Sequence, residues 1–466
     1  MKIRPTAWIA LGMFASAAAV GMRSSEETLV LHGPSHPKAV WPEGAAAGIL
    51  GINESVSFPE ARERRTPLGS QEMTEHLIKM ADLSQAVGAR WTRGHTVAMP
   101  RLSFDRFVEE GESFARMDQW VEEVQRVGLK TIAMVSPWPG NRTERFTPRY
   151  QLGDQTEAYL NFVRQAVERY DGDGVDDFEG LTEPITVWEI DNEPDLKNAP
   201  LSGRRARSGF ATPAEFARVV VATAEAIREA HAEALILQGG IGRPSQSHGY
   251  EYMTELFKQP GMLEAVDVVS LHVYHRGPDV GRIESAIRRA HGAAPSKPIW
   301  LTETSVPAQG RHYWMNEIWQ AEMLFRVFIT AMRLGVERVF WHTLVDPPPA
   351  VQRGRPSGTK TNSLFKQSDE GEITKKPVGV AFERMGEVLE GVQWDEVSAL
   401  SVQGGRGVSV GNKGFLVYGE TDNIVLKDLE FTAAVDLLSG ETVRVEPRSE
   451  GRVWLNSQQR TIWLKP

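Results

Sequence analysis

Cysteine is absent from all 466 positions. That excludes disulfide bridges and lipid attachment through a cysteine thiol, so stability outside the cytoplasm must come from packing. A surplus of positive charge is missing too: 52 basic against 61 acidic residues leave a formal net charge of −9. Nucleic acid or an anionic membrane would need a basic face, and neither is expected as a partner. The first β-like run, "GILGINESV", holds no histidine and is followed by no glycine fingerprint for a dinucleotide. The apolar stretch near the start, Thr6 to Val20, is short of the roughly 20 residues that span a bilayer.

What is present is an ordinary globular composition, 41% apolar and 24% charged, with length for one large core and a smaller one. Thirteen tryptophans are a rich supply, and indole faces suit the apolar faces of sugars as well as protein cores. Lys2 and Arg4 precede the apolar stretch, and Ala19-Val20-Gly21 follow it with small side chains. This order reads as a secretory signal over residues 1–21, implying a secreted or periplasmic protein. An uncleaved anchor is the alternative; after leader removal no integral membrane span is expected.

Downstream, eight short apolar runs alternate with segments of helical period. They are "GILGINESV" (48–56), "RWTRGH" (90–95), "KTIAMVSPW" (130–138), "ITVWEIDNEP" (185–194), "LILQGGI" (235–241), "VDVVSLHVYH" (266–275), "PIWLTETS" (298–305) and "RVFWHTLVD" (338–346). Continuous apolar character rich in β-branched residues suits strands covered on both faces. Thr212 and Pro213 mark one helix start. Eight strands, each followed by a helix, predict a (β/α)8 TIM barrel over residues 44–390. From residue 391 to 466 the pattern turns to period two, predicting a small antiparallel β-sandwich-like domain. The segment 346–362 is rich in Pro and Gly and reads as a loop over the barrel mouth. The acidic turn 169–180 fails the calcium-hand pattern, because Val175 stands where an oxygen ligand belongs.

Catalytic groups of such barrels sit at the C-terminal strand ends. The fourth run ends in "DNEP" with Glu193, and the seventh in "TETS" with Glu303. Two facing carboxyl groups are what glycosidic cleavage requires: one gives a proton to the leaving oxygen and the other attacks the anomeric carbon. With these residues in place, the chain resembles the clan A glycoside hydrolases, retaining (β/α)8 glycosidases, over roughly Gly48 to Leu389. Within the clan it looks nearest to the β-xylosidase and iduronidase-like family.

The resemblance implies Glu193 as acid/base, Glu303 as nucleophile and Asn192 as the holder of a sugar hydroxyl. "RWTRGH" implies Arg93 supporting the nucleophile, with His95 beside it. "LHVYH" implies that His272 lines the sugar site and Tyr274 bonds Glu303. Trp341 matches a platform tryptophan followed by a non-proline cis bond, here expected at Trp341–His342. Trp138 could stack on a sugar or pack in the core, and His275 stays open between site and scaffold. Glu189 and Asp191 read as structural carboxylates, and Trp188 as packing. No cofactor and no metal is expected, and the partner is an oligo- or polysaccharide. A catalytically inactive, carbohydrate-binding barrel is one alternative. A metal-dependent barrel hydrolase using His272 and His275 is another, but its usual first-strand histidines are missing.

Overall fold

In the computed structural model, the described residues are 48–53, 71–94, 102–104, 114–137, 153–197, 212–275, 277, 279–308, 316–349, 361–447, 452–456 and 460–466. Residues 1–21, His95 and Trp138 lie outside them. Eight parallel strands form the barrel: β1 (Leu50–Asn53), β2 (Trp91–Arg93), β3 (Lys130–Ser136), β4 (Val187–Ile190), β5 (Leu235–Gln238), β6 (Val269–Tyr274), β7 (Ile299–Ser305) and β8 (Val336–His342), with a two-residue strand, Leu102–Ser103, added in parallel to β3. They run in the order β5-β4-β3-β2-β1-β8-β7-β6. Parallel bridges at Leu237–Val268 and Ile241–Leu271 join β5 to β6 and close the barrel. Eight helices follow their strands: α1 (Gln71–Ala86), α2 (Ala115–Arg126), α3 (Thr156–Glu168), α4 (Pro213–Ala230), α5 (Ser247–Phe257), α6 (Gly281–Ala293), α7 (Glu317–Arg333) and α8 (Pro377–Leu389). Thr212 caps α4 as the sequence predicts, in a reciprocal capping box with Glu215.

Period-two alternation sorts each strand into two layers. Val187 points into the lumen, whereas Trp188 and Ile190 pack outward under the helices. The lumen floor collects Trp91, Ile132, Val187, Leu235, Leu237, Val268, Trp300 and Phe340. Gly51 makes room for it, because a Cβ there would fall 2.3 Å from the Phe340 ring. The buried Arg338 guanidinium lies 4.8 Å from the Trp91 ring centre and 5.1 Å from that of Trp300. Burial pushes Arg338 down to about 10, and its Nη1 donates to the Gly48 carbonyl at 2.9 Å.

Beyond β8, the buried Lys376 donates to Asp346 at 2.8 Å and to the Thr361 carbonyl at 3.0 Å. The pair ties the start of the long segment after β8 to the start of α8. Residues Val397–Val402, Gly405–Val410, Phe415–Gly419, Thr461–Lys465 and Ala433–Asp436 then make a five-stranded antiparallel sheet. Asn423–Lys427, Arg452–Asn456 and Val445–Pro447 make a three-stranded one. The strand Gly405–Val410 carries two glycines, Gly405 and Gly407, where a strand usually has side chains to pack. The glycines are needed: a Cβ on Gly405 would meet the Tyr418 carbonyl oxygen at 2.3 Å. The β-domain packs on α7. Arg326 lies 5.3 Å from the Tyr418 ring centre, Thr330 Oγ1 is 3.1 Å from the Tyr418 hydroxyl, and Glu322 accepts from the Thr461 amide at 3.0 Å.

Candidate active site

At the C-terminal end of the lumen, β2, β4, β6, β7 and β8 bring their last inward side chains together. The β4 strand ends at Ile190, earlier than the apolar run suggests, because Asp191 (φ 65°) and Glu193 (φ 47°) adopt left-handed backbone. This non-glycine conformation is uncommon, and it is held by Asp191 N donating to Val135 O (2.8 Å) and Glu193 N to Gly240 O (3.1 Å). The turn presents Asn192 and Glu193 to the mouth. The Asp191 side chain goes to structure instead, accepting from Ser136 Oγ at 3.1 Å.

Arg93 is the hub. Fully buried, its Nε donates to Glu189, Nη1 to Glu303 at 2.8 Å, and Nη2 to Asn192 Oδ1 at 2.8 Å. Burial opposes its charge, but Glu189 and Glu303 outweigh that and raise its pKa. Glu189 in turn accepts from Gly240 N (3.1 Å) and Ser270 Oγ (2.7 Å). Each of the three guanidinium nitrogens has an acceptor, and pairing of this kind is what lets a buried charge be tolerated. Tyr274 donates its hydroxyl to the other oxygen of Glu303. Burial and then the Glu303 charge raise this phenol far above the usual range, so it remains a donor. Both Glu303 oxygens are therefore engaged.

His272 Nδ1 stands 3.1 Å from Glu193 Oε1 and 3.4 Å from Glu303 Oε2. Burial alone would lower its pKa, yet the Glu303 charge and the bond to Glu193 raise it. One carboxylate oxygen of Glu193, one of Glu303 and a His272 nitrogen all lie within 4.8 Å of one another. Their exposures differ: the Glu193 side chain is 23% accessible and that of Glu303 3%. The same triple has the spacing of a metal site. The Arg93 guanidinium already on Glu303, however, makes a second cation there electrostatically unfavourable.

The eighth strand corrects one expectation. Phe340 points to the lumen floor and Trp341 packs in the outer layer, fully buried, with Nε1 donating to Asn362 O at 2.8 Å. It cannot serve as the platform. Alternation puts His342 on the lumen side instead, where its ring meets Tyr274 edge-on at 5.4 Å. Burial lowers the His342 pKa and keeps the ring neutral. The non-proline cis bond is His342–Thr343, not Trp341–His342. Sequence reasoning also missed the glycines after β5. A Cβ on Gly240 would stand 2.1 Å from His272 Nε2, and one on Gly242 3.0 Å from Glu193 Oε1. Buried His275 bonds the Gly277 carbonyl at 2.9 Å rather than a catalytic group. Trp188, as expected, is packing.

Two carboxyl groups this close at the mouth of a (β/α)8 barrel are what glycosidic cleavage requires. Residues 185–375, which carry both glutamates, match the family model described as the glycosyl hydrolase catalytic core. Over that segment, from just before β4 to just before α8, the chain is similar to the glycosyl hydrolase catalytic core. The fold is similar to a family 39 glycoside hydrolase from the gut symbiont Bacteroides cellulosilyticus WH2 (TM-score 0.59, 15% identity, covering 90% of this chain and 81% of that one). It is also similar to a family 51 α-L-arabinofuranosidase from Bifidobacterium longum (0.55, 12%, 94% and 99%). A family 39 β-xylosidase from Caulobacter crescentus gives 0.51 at 17% identity, covering 90% and 98%. No curated protein matches the chain in sequence.

Proposed function

We propose that the protein is an exported retaining glycosidase that cleaves β-linked O-glycosidic bonds of an extracellular or cell-envelope glycan. One observation carries the mechanism: the Glu193 and Glu303 oxygens within 4.8 Å. Retaining enzymes hold their carboxyl groups about 5–5.5 Å apart, whereas inverting enzymes leave about 6.5–9.5 Å for a water. Glu303 is the nucleophile. Arg93 faces it with a buried positive charge, and Tyr274 and Arg93 together fix the direction of its oxygens. Glu193, the more accessible of the two, gives its proton to the leaving oxygen as Glu303 bonds the anomeric carbon. It then takes a proton from the water that releases the sugar. Asn192, locked by Arg93, stands beside Glu193 for a sugar hydroxyl, and His272 and His342 line the same space. Export rests on the basic, apolar, small-residue order of residues 1–21.

Aryl β-glycosides test the reading. A 2-fluoro glycoside with a fast leaving group should trap a covalent adduct on Glu303, located by peptide mass spectrometry. Glu193→Ala should keep activity best on substrates with good leaving groups. An inverted product anomer, or near-wild-type rates for Glu193→Ala and Glu303→Ala alike, would sink the proposal. N-terminal sequencing from the native host checks export: an intact Met1 on cytosolic protein would refute it.

A further inference from the structure

Asp195 is completely buried yet faces no lysine or arginine side chain among its described bonds. Its two oxygens accept from consecutive backbone amides, Gly242 N at 2.7 Å and Arg243 N at 3.0 Å. Gly242 is the residue whose missing Cβ leaves room for Glu193 Oε1. The same turn is stitched to β4 twice more, by Gly240 N on Glu189 and by Glu193 N on Gly240 O. It is stitched to β6 by Ile241 N on Ser270 O and His272 N on Ile241 O. The segment Gly239–Arg243 is thus a backbone wall behind both Glu193 and His272.

From this geometry we infer that Asp195 is a positioning residue for proton transfer by Glu193, acting through the Gly242 wall. The inference rests on the acid/base reading of Glu193 proposed above. An ionised carboxylate suits two converging N–H donors. A protonated carboxyl, or an asparagine amide, must turn a donor toward one of them and push the wall outward. Burial raises Asp195 to about 6, with the two amide bonds opposing and the neighbouring Glu193 charge adding to the shift. Glu193, from the turn after β4, and His272, from β6, are the titratable groups that bear on it, and the His248 ring from α5 bonds its carbonyl at 3.2 Å.

A wall that aims the acid matters only where the leaving group needs a proton. Asp195→Asn should lose on the order of 10²-fold in kcat/KM on alkyl or unactivated aryl glycosides. On a dinitrophenyl glycoside the loss should stay within about tenfold, since that step needs little acid catalysis. Gly242→Ala approaches the same wall from the other side. It leaves Asp195 intact and should reproduce the leaving-group dependence without a matching fall in Tm. Glu193→Gln is the control. If it shows no dependence on leaving group, the acid/base reading fails. If it shows the dependence while Asp195→Asn and Gly242→Ala lose equally on all substrates, or not at all, this inference alone fails.

Discussion

Replacing Glu322 with glutamine should make the protein more stable at alkaline pH and scarcely more stable at acidic pH. Glu322 sits on α7 where the β-domain packs, its carboxylate accepting the Thr461 amide at 3.0 Å. Burial, with Asp436 adding negative charge, pushes its pKa from 4.5 up to about 7. The folded state therefore holds this proton more tightly than the unfolded chain. The stability it brings is complete below about 4.5 and is lost as pH rises through about 7. At about 1.4 kcal/mol per pH unit, ionised Glu322 costs about 3 kcal/mol at pH 8 and under about 1 kcal/mol at pH 5. Glutamine keeps an acceptor for Thr461 but carries no charge to desolvate. Urea unfolding at both pH values should show a gain of about 3 kcal/mol at pH 8, shrinking below about 1 kcal/mol at pH 5. An equal effect at the two pH values, or a loss at pH 8, would refute the buried-charge reasoning.

Gly240→Ala should place a methyl 2.1 Å from His272 Nε2. Displacing that ring should lower kcat by about 10²-fold, read in steady-state kinetics with the fold checked by circular dichroism. Lys376→Met should leave Asp346 buried and uncompensated, costing about 3–5 kcal/mol in denaturant unfolding, and adding Asp346→Asn should restore part of it. Trp341→Ala should cost about 3–5 kcal/mol of stability, whereas His342→Ala should produce the larger rise in KM.

The barrel is legible in the sequence because its strands are buried on both faces and its helices carry their own punctuation. Glu193 and Glu303 are legible for a related reason: each closes an apolar run where a side chain must leave the core. Arg93 is found from its place at the end of β2, but its three partners come from β4, β7 and the turn after β4, which no local pattern announces. The eighth strand shows where the reading fails. Phe340, Trp341 and His342 are all aromatic, so residue type cannot decide which of them points inward. Only the register against Gly51 and Ile52 places Phe340 and His342 on the lumen side. The Gly239–Arg243 wall is hidden because "LILQGGI" reads as one strand through Ile241, and its partners are about fifty residues away in sequence.

Among the described residues, Trp91, Trp300, Phe340 and Arg338 fill the lumen below the site, so the site faces the mouth. Traffic through the proposed cycle then has a fixed order. In that cycle the released alcohol and the incoming water share the mouth, and the alcohol leaves before water takes its place beside the sugar on Glu303. A sugar hydroxyl arriving next stands where the water would. Partition of the bound glycosyl group between water and such an acceptor is thereby set at the doorway, by what queues there.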